Sequence, residues 1–159
     1  MAKAPSAKAA ASSRSASPKK GSKLSYILDE QVGFILRQVS QRHSAIFAGA
    51  IGNNLTPTQW AALSKLAEVG PCSQNQLGRL TAMDVATIKG VIDRLSARGL
   101  TETSADPTDG RRLLVSLTRA GQQMAEKTAP NALAITRETL APLDAREREA
   151  LVALLGKLR

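Results

Sequence analysis

Apolar residues recur at intervals of three and four along most of this chain, which is the spacing of amphipathic helices. The first such stretch runs from about Ser25 to Gly49, and a glycine with two asparagines at 52–54 then ends it. Another stretch begins after Thr118 and extends to about Leu140. The pattern therefore predicts a mainly helical protein.

The final stretch predicts a terminal helix with one apolar stripe. A capping box at Asp144 and Glu147 marks its start. Its apolar residues are Leu151, Leu154, Leu155 and Leu158. A stripe on a short terminal helix needs a partner, which is either its own domain or a second copy of the chain.

A nearly complete set of start signals precedes the second helix. Thr56 is a favourable N-cap, and Pro57 suits the first helical position. Gln59 completes a capping box with Thr56, and Leu55 and Trp60 have the spacing of a hydrophobic staple. The residues predict a helix that ends near Gly70.

Two short helices with a three-residue turn between them follow. Ser73 begins a second capping box with Gln76, and the helix that it opens ends before residues 81–83. Asp84 caps the next helix, which ends at a C-terminal glycine, Gly99. By length and spacing, this pair matches a helix-turn-helix.

Strand-like alternation comes directly after the helix pair. Residues 100–104 predict one strand, and the alternating Leu113, Val115 and Leu117 predict a second. The seven-residue loop Ala105–Arg111 joins them into a hairpin. A hairpin in this place is a wing, so the fold class is mainly α with a small β-hairpin wing: a winged helix-turn-helix.

Charge is unevenly distributed along the 159 residues. The net charge is +9, and residues 1–23 carry six basic and no acidic side chains, which leaves +3 for the remainder. This segment is otherwise rich in Ala, Ser, Pro and Gly, so we predict a disordered tail. It is either a solubilising tail or a basic arm that attracts phosphates.

Several functional classes are disfavoured by composition. No stretch approaches the roughly 18 apolar residues of a membrane span, and the N-terminus lacks the apolar centre of a secretory signal. Cys72 is the only cysteine, which excludes an internal disulfide and favours a cytoplasmic location. The chain has one histidine, one cysteine and no glycine-rich phosphate loop. We therefore expect that it is not an enzyme and that it has no cofactor and no metal site.

The cations of the hairpin loop are candidates for DNA contact. Arg111 lies at the loop tip, where a guanidinium can enter the minor groove over A/T-rich tracts. Asp109 is expected to accept the N–H groups of this guanidinium and hold it extended. Gly110 is expected to give the turn its conformational freedom. The alternative is an ordinary surface hairpin with a local ion pair.

The helix after the turn has one apolar side, formed by Ile88, Val91, Ile92 and Leu95. Its opposite side carries Ala86, Gly90, Asp93 and Ala97, and small outward residues suit a helix pressed into a major groove. The predicted DNA contacts are Gln74, Asn75, Arg79, Ala86, Thr87, Lys89, Gly90, Arg94, Asp109, Arg111 and Arg112. For each residue alone, the alternative is a solvated surface position.

Three motifs in order resemble the MarR family of bacterial transcription regulators. Residues 109–118 match the D-x-R-x(5)-L-T wing signature, and residues 55–60 resemble the L-T-x-x-Q-F/W entry to the second helix. Residues 93–100 resemble the D-R-L-x-x-x-G-L end of the recognition helix. The resemblance implies a homodimer with interlocked N- and C-terminal helices that binds a palindromic operator in double-stranded DNA.

This resemblance also implies the domain organisation. The tail 1–23 precedes a MarR-like domain, 24–159, in which 55–118 bind DNA. The dimerisation helices are then 24–50 and 119–159. Residues 55–95 resemble more narrowly the branch of the family that represses nicotinic-acid catabolism genes, whose members respond to 6-hydroxynicotinic acid.

Many members of this family release DNA when they bind a small aromatic acid. The resemblance therefore implies that this chain has a site for such an effector. His43 and Trp60 are expected to bind such a ligand, with Arg42 beside them; the alternative is a core histidine and a plain staple. Two other functions remain open. One is a basic architectural DNA-binding protein without an effector, and the other is a thiol-based redox regulator that uses Cys72.

Overall fold

A computed structural model describes residues 25–159, so the predicted tail lies outside the described residues. A short 3-10 helix, Leu28–Glu30, comes first. The elements that follow are α1 (Val32–Ala50), α2 (Pro57–Val69), β1 (Cys72–Ser73), α3 (Gln74–Leu80), α4 (Val85–Ala97), β2 (Thr101–Ala105), β3 (Leu113–Leu117), α5 (Arg119–Thr139) and α6 (Ala145–Lys157). The winged-helix order predicted from the sequence is confirmed.

Helix starts agree closely with the capping signals. Thr56 Oγ1 accepts the N–H of Gln59 at 3.2 Å, and Gln59 Oε1 accepts the N–H of Thr56 at 3.0 Å. The box at the start of α6 is also formed. Ser73 makes only the forward half of its predicted box, with Gln76 N at 3.3 Å. The first α-helix begins later than predicted, because the backbone at Gln31 is extended.

The sheet contains a strand that was not predicted. Strand order is β1-β3-β2, and both pairs are antiparallel. β1 is two residues long, with Cys72 opposite Val115, and so short a segment has no alternation to detect. β2 spans Thr101–Ala105, one residue later than expected at each end.

The core lies between α2, α4, the sheet and the long helix α5. Leu63, Leu77, Ile88, Val91 and Leu95 are fully buried within it. The predicted inward face of α4 is therefore confirmed. Leu113 departs from the prediction for β3, because its side chain is 61% exposed whereas that of Val115 is 2% exposed.

The terminal helices leave much apolar surface uncovered. In α1 only Phe47 is buried, and no residue of α6 is buried. The large exposed apolar residues of the terminal segments are Tyr26, Ile27, Leu28, Val32, Ile35, Leu36, Val39, Leu133, Val152, Leu154, Leu155 and Leu158. Three leucines of the α6 stripe, Leu154, Leu155 and Leu158, are thus left exposed by the described chain, whereas Leu151 is half-buried.

Among residues 25–159, no helix has the length and apolarity required to cross a membrane. The long helix α5 continues through Pro130 and ends at Thr139.

The start of α5 is fixed to the end of α4 by close packing and hydrogen bonds. Gly99 ends α4 with a φ of 68°, and the N–H of Leu100 returns to the carbonyl of Leu95 at 3.0 Å. Thr118 N donates to Leu100 O at 3.1 Å, and Thr118 Oγ1 donates to Gly99 O at 2.6 Å. Gly121 lies against the same turn. This α4–α5 junction (Gly99, Leu100, Thr118 and Gly121) sets where the wing and α4 lie relative to α5.

Substitution of Gly121 by alanine should destabilise the protein. A Cβ at Gly121 would overlap the carbonyl oxygen of Leu100 and lie 2.9 Å from its carbonyl carbon. Both are backbone atoms, and the oxygen is held by the hydrogen bond from Thr118 N. We expect Gly121→Ala to lower the free energy of unfolding by about 2 kcal/mol or more. Urea denaturation would measure the loss.

Gly49→Ala is the matched control, because a Cβ at that helical position meets nothing within 4 Å. It should leave stability unchanged or raise it slightly. Equal stability of the Gly121 variant and the wild type would contradict the packing of the α4–α5 junction.

Candidate nucleic-acid interface

The two helices of the helix-turn-helix approach each other closely at a glycine. A Cβ on Gly78 would lie 3.0 Å from Met83 O and 3.2 Å from Ile88 Cγ2. The N–H of Met83 donates to Gly78 O at 2.9 Å, and Ala82 takes a φ of 54° in the turn. Gly78 was not predicted as a functional residue, although a glycine within a seven-residue helix is a detectable signal.

The first turn of α4 is held by its N-cap. Asp84 Oδ1 accepts the N–H of Thr87 at 2.7 Å, and Asp84 Oδ2 accepts the Thr87 hydroxyl at 2.8 Å. The backbone N–H of Thr87, followed by its hydroxyl, holds the pKa of Asp84 below its ordinary value. Because the Thr87 proton is engaged, its hydroxyl offers only lone pairs to an outside partner.

The outward face of α4 is more covered by charged side chains than predicted. Ala86, Thr87 and Lys89 are exposed, and Lys89 pairs with Asp93 at 2.7 Å. Gly90 is only half-exposed, because the guanidinium of Arg94 lies over it: a Cβ there would be 3.3 Å from Arg94 Nη1. Arg94 therefore covers part of the small-residue face in the described chain.

The wing loop is organised by Asp106. Its Oδ1 accepts the Thr108 hydroxyl at 2.7 Å and the Thr108 N–H at 2.8 Å, and its Oδ2 lies 3.9 Å from Arg112 Nη1. These hydrogen bonds, the Thr108 hydroxyl first, hold the pKa of Asp106 below its ordinary value. Asp106 was not predicted from the sequence.

Two expectations for the loop tip were wrong in detail. Asp109 Oδ1 accepts the backbone N–H of Arg111 at 3.1 Å, so the carboxylate shapes the turn and does not brace the guanidinium. The backbone at Gly110 does not take a positive φ, so this turn does not require glycine. Arg111 itself is exposed at the tip, as predicted.

The structure brings α3 and the base of the wing together. A cleft of about 390 Å³ is lined by Ser73, Gln74, Asn75, Arg79, Arg112 and Leu113. Four of these residues were predicted to contact DNA. Leu113 also lines the cleft but was not predicted to do so, because its place in an alternating strand indicated a core residue.

The predicted ligand residues lie on a different part of the molecule. His43 and Trp60 line a cavity of about 140 Å³ with Phe47, Ala132, Ile135 and Thr136. Trp60 also borders a neighbouring cavity of about 230 Å³ that includes Ser64 and Glu126. Both cavities lie where α2, in the part predicted to bind DNA, meets α5. We call these the His43 cavity and the Ser64 cavity.

Hydrogen bonding determines which nitrogen of His43 is free. The Thr139 hydroxyl donates to Ile135 O at 2.8 Å, so it has no proton left for His43. His43 Nδ1, 2.9 Å from Thr139 Oγ1, must therefore be the donor. Nε2 then remains for another partner, as an acceptor when the ring is neutral or a donor when it is charged.

Arg42 is engaged elsewhere. Its guanidinium donates to Thr139 O at 2.6 Å and to Glu138 O at 3.1 Å, so it caps the C-terminal end of α5. It does not line the His43 cavity. The expectation that Arg42 flanks a ligand is replaced by this structural role.

Cys72 has the environment of a structural residue. Its side chain is 3% exposed, and burial raises the pKa of the thiol. Within residues 25–159, no group of three or more His, Cys, Asp or Glu side chains is arranged to hold a metal ion.

A helix-turn-helix followed by a hairpin with exposed arginines defines a winged-helix DNA-binding protein. The sequence profile of the MarR family matches residues 53–112. The transcriptional repressor NicR of Pseudomonas putida is 42% identical over 134 residues, which cover 84% of this chain and 85% of the relative.

Solved structures agree with this relationship. A probable transcriptional regulator from Pseudomonas aeruginosa is 62% identical, with a TM-score of 0.82 over 84% of this chain and 100% of that one. BpsR from Bordetella bronchiseptica, whose DNA binding is regulated by 6-hydroxynicotinic acid, is 44% identical, with a TM-score of 0.81 over 84% and 96% of the two chains. The chain therefore belongs to the MarR family and is a transcriptional repressor of that family; its relatives are regulators, not enzymes.

The wing-loop geometry generates a pH prediction. Because the pKa of Asp106 is lowered in the folded protein, the bonds to Thr108 stabilise the loop at neutral pH. This stabilisation is lost only as the pH falls through the lowered pKa. A carbon-13 NMR titration of the Asp106 carboxyl should therefore have its midpoint below the ordinary aspartate range.

Thr108→Val removes the hydroxyl donor at nearly constant shape, so the midpoint should move back up toward the ordinary value. Asp84, whose pKa is lowered by Thr87 and not by Thr108, serves as the internal reference and should titrate alike in both proteins. A midpoint for Asp106 that is ordinary in the wild type, or unchanged in the variant, would contradict this account of the loop.

Proposed function

We propose that this MarR-family repressor binds a palindromic operator as a homodimer and releases it when a small aromatic carboxylic acid occupies the His43 cavity. The observation that carries the ligand part is the position of that cavity, between the DNA-binding part and the terminal helices. 6-Hydroxynicotinic acid is the specific candidate.

The dimer is supported by the uncovered apolar faces at both ends of the chain. MarR-family regulators bind DNA as dimers. In the described chain α6 buries no residue, and Leu158 is 75% exposed, which is costly for a helix without a partner. Interlocking of α1, α5 and α6 with a second copy would cover these residues.

The proposed DNA contacts divide into three groups. The outward face of α4, with Ala86, Thr87, Lys89 and Gly90, enters the major groove, and Arg94 must swing away from Gly90 to reach the backbone. The wing places Arg111 in the adjacent minor groove. The cleft residues Gln74, Asn75, Arg79 and Arg112 contact phosphates and fix the register.

Loss of the tip guanidinium should weaken operator binding. We expect Arg111→Ala to raise the Kd for a duplex selected from a randomised library by about tenfold, with the loss concentrated in sites that have A/T-rich flanks. Fluorescence anisotropy at fixed salt would measure it. Arg111→Lys should recover only part of the loss, because the lysine ammonium is more strongly hydrated than a guanidinium and lacks its planar fork of donors.

Arg146→Ala is the matched control, since it removes the same charge from exposed α6. It should leave the Kd within about twofold of the wild type. An unaltered Kd in Arg111→Ala would show that the wing does not contact the operator.

The effector proposal rests on the chemistry of the His43 cavity. The indole of Trp60 offers an aromatic surface for a planar ring. His43 Nε2, left free by the bond from Nδ1 to Thr139, can accept from a ring hydroxyl or, when protonated, pair with a carboxylate. The regulation of BpsR by 6-hydroxynicotinic acid supports this class of ligand.

6-Hydroxynicotinic acid should raise the thermal stability of the protein and release it from the selected duplex. At a hundred times the Kd, the stabilisation would be about 2.7 kcal/mol. His43→Gln and Trp60→Leu should each weaken ligand binding while they leave operator affinity unchanged in its absence. Calorimetry and anisotropy would measure the two properties.

Ser64→Ala tests which of the two cavities binds the acid, because Ser64 lines the Ser64 cavity but not the His43 cavity. This variant should bind the acid like the wild type. Binding that survives both His43→Gln and Trp60→Leu would contradict the proposed site.

The alternatives make different predictions. An architectural protein would bind scrambled and selected duplexes equally, whereas a sequence-specific repressor would prefer the selected one. A redox regulator requires an accessible thiolate, and the buried thiol of Cys72 does not favour it.

A further inference from the structure

Six large apolar side chains of residues 25–159 are more than 60% exposed, and they fall into two groups. Val32, Leu133, Val152 and Leu158 lie on α1, α5 and α6, the helices proposed to form the dimer. Val85 and Leu113, at 66% and 61%, lie instead on the proposed DNA-facing surface. A dimer interface formed by the terminal helices does not account for this second pair.

Val85 is the first residue of α4, and an exposed apolar side chain is unusual at that position. Val85 is mostly exposed whereas Ile88, less than one turn later, is fully buried, so the core does not require an apolar side chain at position 85. First turns of helices favour acidic residues, which interact with the helix dipole, and the first turn of α4 has none. The N-cap, Asp84, directs both carboxylate oxygens to Thr87.

The N-terminal residues of a recognition helix in the major groove are those that contact base edges. The apolar group presented there by a base pair is the 5-methyl of thymine. Val85 offers two methyl groups on a stiff β-branched side chain, so little conformational entropy is lost on contact. Its neighbours across a cavity of about 300 Å³ are Asn75 and Arg79, both proposed to hold phosphates.

We propose that Val85 is a specificity-determining residue, which packs its methyl groups against the 5-methyl of one thymine in each operator half-site. The inference rests on the proposed insertion of α4 into the major groove. Val85 would then give the protein a preference for thymine at one base pair through apolar contact, without a hydrogen bond to the base.

Deoxyuridine provides the test, because it keeps every hydrogen-bonding group of thymine and lacks only the methyl. The full chain is first used to select its preferred duplex from a randomised library. Each thymine of that duplex is then replaced by deoxyuridine, symmetrically in both half-sites. At one position, the replacement should weaken wild-type binding by about fourfold per half-site, the factor for one buried carbon group.

Val85→Ala removes both γ-methyl groups, so it should bind the thymine and deoxyuridine duplexes equally and the thymine duplex more weakly than the wild type does. Val85→Ile keeps a branched apolar side chain and should retain the penalty. Val69→Ala, at an exposed position on α2, is the control and should show the full wild-type penalty. Thermal unfolding confirms that each variant is folded.

A deoxyuridine penalty that persists in Val85→Ala, or the absence of any such position in the wild type, would overturn the assignment of Val85. Failure of the selection to give any preferred sequence would instead contradict the proposed function. The two results are therefore distinguishable.

Discussion

The position of the DNA-binding surface depends on the α4–α5 junction. Thr118 caps α5 through the N–H of Gly121 at 3.1 Å, and the same hydroxyl donates to Gly99 O. Gly121 has no Cβ, which lets the first turn of α5 lie directly on the backbone of Leu100. Gly99, Gly121 and the Thr118 hydroxyl therefore attach α4 and the wing to α5, and α5 also carries part of the proposed dimer face.

A second set of hydrogen bonds holds the same end of α4. The guanidinium of Arg98 donates to the carbonyls of Asn53 and Asn54 at 2.8 and 3.2 Å. These residues, with Gly52, take positive φ values of 52–72° in the α1–α2 linker. Asn53 in turn donates to the fully buried Thr128 of α5 at 3.2 Å. The end of α4 is thus tied to α5 both directly and through this linker.

This arrangement explains how an effector at the His43 cavity would act on DNA binding. The cavity is bounded by α1, α2 and α5, and α4 is attached to α5 and to the linker between the other two. A ligand that binds one spacing of these helices better than another shifts the population of dimers whose recognition helices fit the operator. No direct contact between the ligand and DNA is needed.

Much of the fold was predictable because local chemistry determines it. Capping residues such as Thr56 and Asp84 and the C-terminal Gly99 act within a few residues, and the inward face of α4 follows from helical periodicity. The site was less predictable where it depends on distant contacts. The engagement of Arg42 by the end of α5, the role of Asp106 in place of Asp109, and the close approach at Gly78 require three-dimensional neighbours. The exposure of Leu113 likewise depends on where the sheet ends.

Hydroxyl radicals cleave DNA at sugars exposed along the backbone and minor groove, so footprinting of the selected duplex tests most directly whether the wing lies in the minor groove beside each half-site. The account predicts two symmetric protected regions, centred about 10 base pairs or a multiple of this apart. It also predicts flanking minor-groove protection that disappears in Arg111→Ala while the central protection remains. Uniform protection without a defined centre, or flanking protection that does not depend on Arg111, would contradict it.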